Sequence, residues 1–223
     1  MKNSVRSGRA VLLLFVPIIF VPGLLYPHDP ITTKLTWTQE ISRVVYKRCA
    51  GCHRPDGKAF SLLAYEDARP WAKAIRDQVR TRAMPPWGPV KGVGEFRNDV
   101  SLSEPEIEML VGWVEGGAPE GEPQFLPAAP KAAGEAVTPR FRNEIRVASS
   151  YRPKAAIRVA AISIKAAGEI WITRADGTTE RLLWIKEFPK YGAGKYVLRT
   201  PVAVNPGDVL HATSPVVISC SNG

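Results

Sequence analysis

The 223-residue chain has few of the side chains that usually bind metals, with three cysteines, three histidines and three methionines. A structural zinc site needs four cysteine or histidine ligands, commonly supplied as closely spaced pairs. The only such pair is Cys49 and Cys52, and the sequence has no second Cys-x-x-Cys or His-x-x-x-His pair to complete a site. A thioredoxin-type cysteine pair needs a βαβ context, which the flanking residues do not show. These absences argue against a zinc site and against a dithiol redox centre.

The cysteine pair is followed directly by a histidine, in the order Cys49-Ala50-Gly51-Cys52-His53. This Cys-x-x-Cys-His pattern is the attachment signature of c-type haem. The two thiols can add to the two vinyl groups of one porphyrin, and the adjacent imidazole can reach the iron as its proximal ligand. The sequence therefore predicts one covalent haem c, with Cys49 and Cys52 as thioether links and His53 on the iron.

Met84 is the best candidate for the distal iron ligand, which in electron-transfer cytochromes is usually methionine or histidine. Met1 precedes the amino-terminal apolar segment, and Met109 lies among apolar residues of a predicted helix, where a core role is the better interpretation. Met84 precedes Pro85 and Pro86, and a residue before proline is pushed towards an extended backbone. A methionine on such a stiff loop fits a thioether ligand. A plain methionine in a proline turn is the alternative, and ligation by a second histidine also stays open.

The amino terminus has the pattern of an export signal. Lys2, Arg6 and Arg9 precede an apolar run over residues 11–26, and this order places the amino terminus inside the cell. Residues 22–26 offer no small-residue cleavage site, whereas the run is shorter than the roughly 20 apolar residues of a typical membrane helix. We predict a retained anchor in the inner membrane, with cleavage to a soluble form as the alternative. Both outcomes place the rest of the chain on the periplasmic side.

Composition and charge change across a linker rich in proline and alanine, residues 119–139. Residues 31–124 carry 13 basic and 13 acidic side chains, whereas residues 125–223 carry 14 basic and 7 acidic ones. This surplus indicates either a solvated basic face or a surface that docks to an acidic partner or an anionic membrane. Nucleic acid is not an expected partner, because the chain shows no binding motif for it. The predicted organisation is a signal or anchor (1–30), a haem domain (31–118), the linker and a final domain (140–223).

Local patterns predict helices around the haem motif and strands after the linker. Thr36-x-x-Gln39 and Ser103-x-x-Glu106 are capping boxes, and a third helical pattern lies over residues 65–82. After the linker, short runs rich in Ile, Val and Trp alternate with turns such as Asp176-Gly177. The predicted fold class is α + β in two domains: a small all-α haem domain followed by an all-β, sandwich-like domain, with an N-terminal hydrophobic helix.

Four stretches of the first half, beside the haem motif, carry a resemblance to a known family of domains. They are residues 37–48 before Cys49, residues 60–71, the sequence Met84-Pro85-Pro86-Trp87, and residues 102–113. With the haem motif, they resemble a bacterial subtype of the class I-like cytochrome c domain. The resemblance implies that Cys49 and Cys52 are the haem links, that His53 is the proximal ligand and that Met84 is the distal ligand.

The stretch from Asp176-Gly177 to Asn205-Pro206-Gly207-Asp208 is similar to the carboxyl-terminal β-sandwich of copper type II, ascorbate-dependent monooxygenases. Those domains bind copper through a His-x-His pair and a methionine. This chain has no histidine between His53 and His211 and no methionine after Met109, and one histidine cannot build such a site. We therefore expect neither copper nor hydroxylation, and we interpret the β region as a structural or docking module.

These patterns predict an exported mono-haem c-type cytochrome that carries single electrons between periplasmic or membrane redox partners, rather than an enzyme. One alternative is a haem-based enzyme or gas sensor whose sixth iron position is open. Another is a scaffold or docking module in which the basic β region is the working part. Outside the haem scheme, we interpret Cys220 as a packing residue and His211 as a structural histidine.

Overall fold

The computed structural model describes residues 34–131, 141–192 and 194–221 of the chain. Every described residue belongs to one compact unit, Ile31–Gly223. The predicted amino-terminal signal or anchor therefore lies outside the described residues.

The helical part begins with a π-helical turn, Trp37–Ile41, which continues directly into helix α1, Ser42–Arg48. The other helices are α2 (Tyr65–Ala68), α3 (Ala72–Arg80) and α4 (Glu104–Glu115), with 3-10 turns at Arg69–Trp71 and Pro123–Phe125. Pro70 lies in the 3-10 turn that joins α2 to α3. Proline is tolerated there because the position belongs to the first turn of the 3-10 segment and its ring fixes φ near the helical value.

Both predicted capping residues begin helices, but their bonds differ. At Ser103 the box is complete, since its hydroxyl accepts from the Glu106 N–H and the Glu106 carboxylate accepts from the Ser103 N–H at 2.8 Å. The Thr36 hydroxyl accepts from the Gln39 N–H at 3.3 Å, whereas the Thr36 N–H donates to the Glu40 carboxylate at 2.9 Å. The reciprocal bond is thus shifted by one residue, because the first turn here is π-helical.

The helices pack around two tryptophans. Trp37 and Trp113 are fully buried, and their ring centroids lie 6.0 Å apart. Ile41 and Leu110 fill the space beside them without any exposed surface. Full burial of one large apolar side chain stabilises a fold by about 1.5–3 kcal/mol. This cluster therefore holds the first helical turns against α4.

The described residues after the linker form the strands β1 (Asn143–Val147), β2 (Ser150–Tyr151), β3 (Ile157–Ile164), β4 (Gly168–Thr173), β5 (Thr179–Ile185), β6 (Lys195–Val204), β7 (Val209–Ala212) and β8 (Val216–Cys220). These strands make two four-stranded antiparallel sheets, in the orders β1-β8-β3-β6 and β2-β7-β4-β5. Ile162 and Ile164 of the first sheet and Ile170 and Ile172 of the second are fully buried in one shared cluster. The two sheets therefore enclose a common core.

Asp208 joins the β4–β5 turn to the β6–β7 turn. Its buried carboxylate accepts from the backbone N–H groups of Asn205 at 2.9 Å and Ala175 at 3.0 Å, and from the Arg174 guanidinium at 3.0 Å. The Asn205 bond is the largest of the causes that hold the pKa of the Asp208 carboxyl below its ordinary value. This network fixes the two turns to each other.

The chain between α3 and α4 reaches the sheets. We call residues 85–99 the clamp segment. Its Val90 N–H donates to the Trp184 carbonyl of β5 at 2.8 Å, and its Arg97 N–H donates to the Val197 carbonyl of β6 at 2.8 Å. Phe96 is buried in the core between the sheets. The segment between the helices α3 and α4 therefore packs against the β part and contributes a side chain to its core.

The predicted fold class was wrong. Residues 31–223 form one compact unit rather than an all-α domain followed by an all-β domain. Strands dominate its regular structure, and its α-helices are short, with lengths from 4 to 12 residues. No helix within the described ranges is long and apolar enough to cross a membrane. Local patterns did not predict this organisation because the clamp segment pairs with residues as many as 102 positions later in the chain.

Candidate haem site

The predicted haem motif begins where α1 ends. The Cys49 N–H donates to the Val45 carbonyl at 2.8 Å and closes the last turn of the helix. The N–H groups of Cys52 and His53 both donate to the Cys49 carbonyl, at 3.0 and 2.9 Å. The motif is therefore one compact turn attached to a helix, which brings both cysteines and the histidine together.

The two thiols have different surroundings. Cys52 is exposed and Cys49 is partly buried. Burial is the main cause that raises the pKa of the Cys49 thiol to about 12, with smaller contributions from Cys52 and Glu106. A thiol that keeps its proton at neutral pH is a poor nucleophile. In the haem-free chain Cys49 is therefore the less reactive thiol as long as it stays buried.

His53 is held with one ring nitrogen against the backbone. Its Nδ1 lies 3.0 Å from the Phe60 carbonyl oxygen. A carbonyl can only accept, so Nδ1 carries the proton and Nε2 has the free lone pair. Metal-binding histidines commonly have this arrangement, because the second-shell acceptor fixes both the tautomer and the ring orientation.

The loop after the motif folds back on His53. The Leu62 N–H donates to the His53 carbonyl at 3.2 Å. The Phe60 ring lies edge-on to the imidazole, with centroids 4.9 Å apart, and stacks on Trp71 at 4.5 Å. Phe60 and Trp71 are 47% and 46% exposed. The packing of Phe60 therefore restricts the orientation of the His53 ring on one side.

Arg54 provides a second observation that fits a haem. Its Nε is buried, and it has no hydrogen-bond partner within the described residues. Buried donors in proteins normally have an acceptor. The carboxylate groups of a haem are acceptors of the required charge, so the residues around the motif fit this cofactor.

Met84 follows α3 and lines a cavity of about 390 Å³. Its backbone N–H donates to the Gln78 carbonyl at 3.3 Å, which ties it to the last turn of the helix. The apolar side chains of Val79, Leu102 and Ile107 line the same cavity. Met84 thus belongs to the wall of a largely apolar pocket.

Met84 lines this pocket, and the residues of the haem motif do not. Of the described residues, Cys49, Cys52 and His53 are not among those that line the Met84 cavity. A neighbouring cavity of about 310 Å³ includes Arg48, the last residue of α1, and shares lining residues with the first. The structure brings three of the four predicted haem-binding residues into one turn, whereas Met84 belongs to the segment after α3, so the four assignments stay predictions.

Glu106 fixes the end of α1 beside the motif, and the sequence patterns missed this role. Its carboxylate accepts from the Arg48 Nε at 3.0 Å and pairs more loosely with Lys47 at 3.5 Å. Burial would raise the pKa of this carboxyl, but the bonds from Arg48 and Ser103 outweigh it and lower the pKa to about 2. The capping box identified Glu106 as a cap, but nothing local indicated its contact with Arg48.

The β part gives His211 and Cys220 ordinary packing surroundings. His211 in β7 stacks on Trp171 in β4, with centroids 4.9 Å apart and an interplanar angle of 11°. Cys220 in β8 is 5% exposed, as expected for a packing residue. In the part of the chain that the structure describes, no group of three or more His, Cys, Asp or Glu side chains is placed to hold a metal ion.

Comparison with known protein families gives no match, and comparison with curated proteins finds no similar sequence. The assignment of the site therefore depends on the residues and contacts of this chain.

Proposed function

We propose that this protein is an exported carrier of single electrons with one covalent haem c. In this proposal Cys49 and Cys52 form the thioether links, His53 is the proximal ligand and Met84 is the distal ligand. Haem, when bound, supplies a centre that gains and loses one electron. The side chains hold, orient and shield the cofactor and break no substrate bond, so we do not propose an enzyme.

The orientation of His53 is the observation that supports this proposal most strongly. The bond between its Nδ1 and the Phe60 carbonyl, at 3.0 Å, leaves Nε2 free to bind a metal. The bond also restricts the rotation of the imidazole ring before any cofactor binds. Less conformational entropy is therefore lost when the ring binds the iron.

We also propose that the carrier works on the periplasmic side with other redox proteins as partners. The export pattern at the amino terminus and the basic surplus of residues 125–223 support this part of the proposal. Opposite charges would steer an acidic partner towards that surface. Electron transfer to such a partner should therefore slow as salt is added, because salt screens exposed charges.

Optical spectra of the full chain, matured with haem-attachment machinery, test the ligand set. The wild type should show a low-spin, six-coordinate iron that binds carbon monoxide slowly in the reduced state. Met84→Ala should become high-spin and bind carbon monoxide rapidly. Met109→Ala is the matched control, because Met109 is a partly buried methionine of α4 and should not affect the spectrum.

Two results would count against the ligand set. An unchanged spectrum in Met84→Ala would show that another group, or none, occupies the sixth position. Rapid carbon monoxide binding by the wild type would favour a gas sensor or a haem enzyme over an electron carrier.

A further inference from the structure

We infer that the two-sheet β part positions Met84, and that it does so through the clamp segment, residues 85–99. The inference rests on the proposed function, because it takes Met84 as a haem ligand. It gives the β part a definite task beyond docking. Trp87, Phe96 and Tyr196 are the positioning residues.

The clamp segment adds a strand-like edge to β6, the outer strand of its sheet. The Arg97 N–H donates to the Val197 carbonyl at 2.8 Å, and the Arg199 N–H donates back to the segment at 2.7 Å. The Asn98 amide accepts from the Val197 N–H at 3.0 Å and donates to the Lys195 carbonyl at 2.8 Å. An outer strand normally leaves these groups unpaired. Their pairing here makes the contact specific in register.

The same segment also binds β5, the outer strand of the other sheet. The Val90 N–H donates to the Trp184 carbonyl at 2.8 Å. Gly94 passes so close that a Cβ atom added there would lie 2.2 Å from the Leu182 carbonyl oxygen. The clamp segment therefore spans the side of the sandwich where both outer strands are otherwise open.

Three aromatic side chains connect this segment to the core. Trp87 and Phe96 come from the clamp segment, and Tyr196 comes from β6. The ring centroids lie 5.2 Å apart for Trp87 and Tyr196, 5.8 Å for Trp87 and Phe96, and 5.8 Å for Phe96 and Tyr196. All three pairs have edge-on geometry, which is favourable for aromatic rings. Phe96 and Tyr196 are almost fully buried.

Trp87 is the direct connection to the candidate ligand. It lies three residues after Met84, packs against the sheet core and also lines the Met84 cavity. Only Pro85 and Pro86 separate the two, and proline fixes its own backbone φ. On the other side, Met84 is tied to α3 through the Gln78 carbonyl. A shift of Trp87 would therefore be passed to Met84 along a short, stiff segment.

Carbon monoxide binding to the reduced full-length protein tests this inference. Tyr196→Ala removes two ring contacts, and each aromatic pair stabilises the packed position of the clamp segment by an amount that corresponds to a severalfold change in the equilibrium between its packed and displaced positions. We therefore expect the association rate of carbon monoxide to rise about tenfold or more. Tyr196→Phe keeps the ring and should restore the wild-type rate. In the haem-free chain, Tyr196→Ala should also speed amide exchange at Val90, Arg97 and Arg199.

A control variant separates positioning from a general loss of stability. Ile218 lies in β8, which pairs with β1 and β3, and it is fully buried in the same core. Ile218→Ala should lower the melting temperature but leave the carbon monoxide rate unchanged. Equal acceleration by Ile218→Ala and Tyr196→Ala would overturn the inference.

Failure of the inference and failure of the proposed function give different results. If Met84→Ala accelerates carbon monoxide binding but Tyr196→Ala does not, only the positioning role is refuted. If Met84→Ala has no effect, the ligand assignment fails first and the positioning role fails with it. Should Tyr196→Ala not fold, the exposed variant Asn98→Ala decides: faster binding supports the inference, and the wild-type rate refutes it.

Discussion

Replacement of Glu106 by glutamine should destabilise the protein by an amount that depends on pH. Glu106 is 9% exposed, and its carboxylate accepts from Arg48 at 3.0 Å and from the Ser103 N–H at 2.8 Å. These bonds overcome the effect of burial and lower the pKa from its ordinary 4.5 to about 2. A difference of that size corresponds to about 3 kcal/mol of stability. The contact with the exposed Lys47 adds little.

Glutamine keeps the size of the side chain and an oxygen that can cap α4, so mainly the charge is lost. We expect Glu106→Gln to lower the free energy of unfolding by about 2–3 kcal/mol at pH 7. The sign with pH follows from the lowered pKa. The carboxylate stabilises the fold fully above its ordinary pKa of 4.5, and this contribution disappears as the pH falls to about 2.

Urea unfolding at several pH values between 7 and 2 measures this dependence. Glu104→Gln is the matched control, because Glu104 lies in the same helical turn but has a side chain that is 69% exposed and pairs with Arg82. Its loss should cost less than about 1 kcal/mol. A Glu106→Gln effect that stays constant from pH 7 to pH 2 would be inconsistent with a lowered pKa of Glu106. An equal loss of stability in both variants would show that the buried contact with Arg48 contributes nothing special.

Two further predictions concern glycine and cysteine. Gly94→Ala should cost more stability than Gly92→Ala, because both have positive φ but only Gly94 faces the Leu182 carbonyl, and thermal unfolding of the two variants measures the difference. In the haem-free native chain Cys52 should react with a thiol reagent and Cys220 should not, since Cys52 is exposed and Cys220 is buried. Rapid labelling of Cys220, checked by mass spectrometry of the peptides, would contradict the packing of β8.

The α4 start could be predicted because both partners of its cap lie within four residues. The Ser103 and Glu106 bonds depend only on local backbone geometry, which a short sequence pattern encodes. The contact between Glu106 and Arg48 joins positions 58 residues apart, so no local pattern indicated it. The same carboxylate thus had one predictable role and one that required the folded chain.

The clamp segment shows most clearly why the fold class was wrong. Its proline- and glycine-containing sequence is typical of a loop, and it has no alternating apolar pattern like that of an internal strand. It nevertheless pairs with outer strands of both sheets, through bonds such as that of Asn98 to Lys195, 97 residues later. A division of the chain into domains by composition could not include a contact of this kind.

Part of the candidate site could be predicted from the sequence. The spacing of Cys49, Cys52 and His53 predicts haem chemistry, because covalent attachment and proximal ligation need those residue types in that order, and this assignment stays a prediction. The acceptor for His53 Nδ1 was not predictable, since it is a backbone carbonyl and any residue could provide it. The sequence predicted that Met84 lies on a loop, but it did not predict which side chains surround that loop.

Intact mass measurement shows directly whether the chain carries a covalent haem. The full chain would be produced together with c-type haem-attachment machinery and compared with the double variant Cys49→Ser, Cys52→Ser. The wild type should keep the added mass of one haem after denaturation, and the double variant should not. A wild type with the mass of the bare polypeptide, from cells that attach haem to another c-type cytochrome, would rule out Cys49 and Cys52 as haem links.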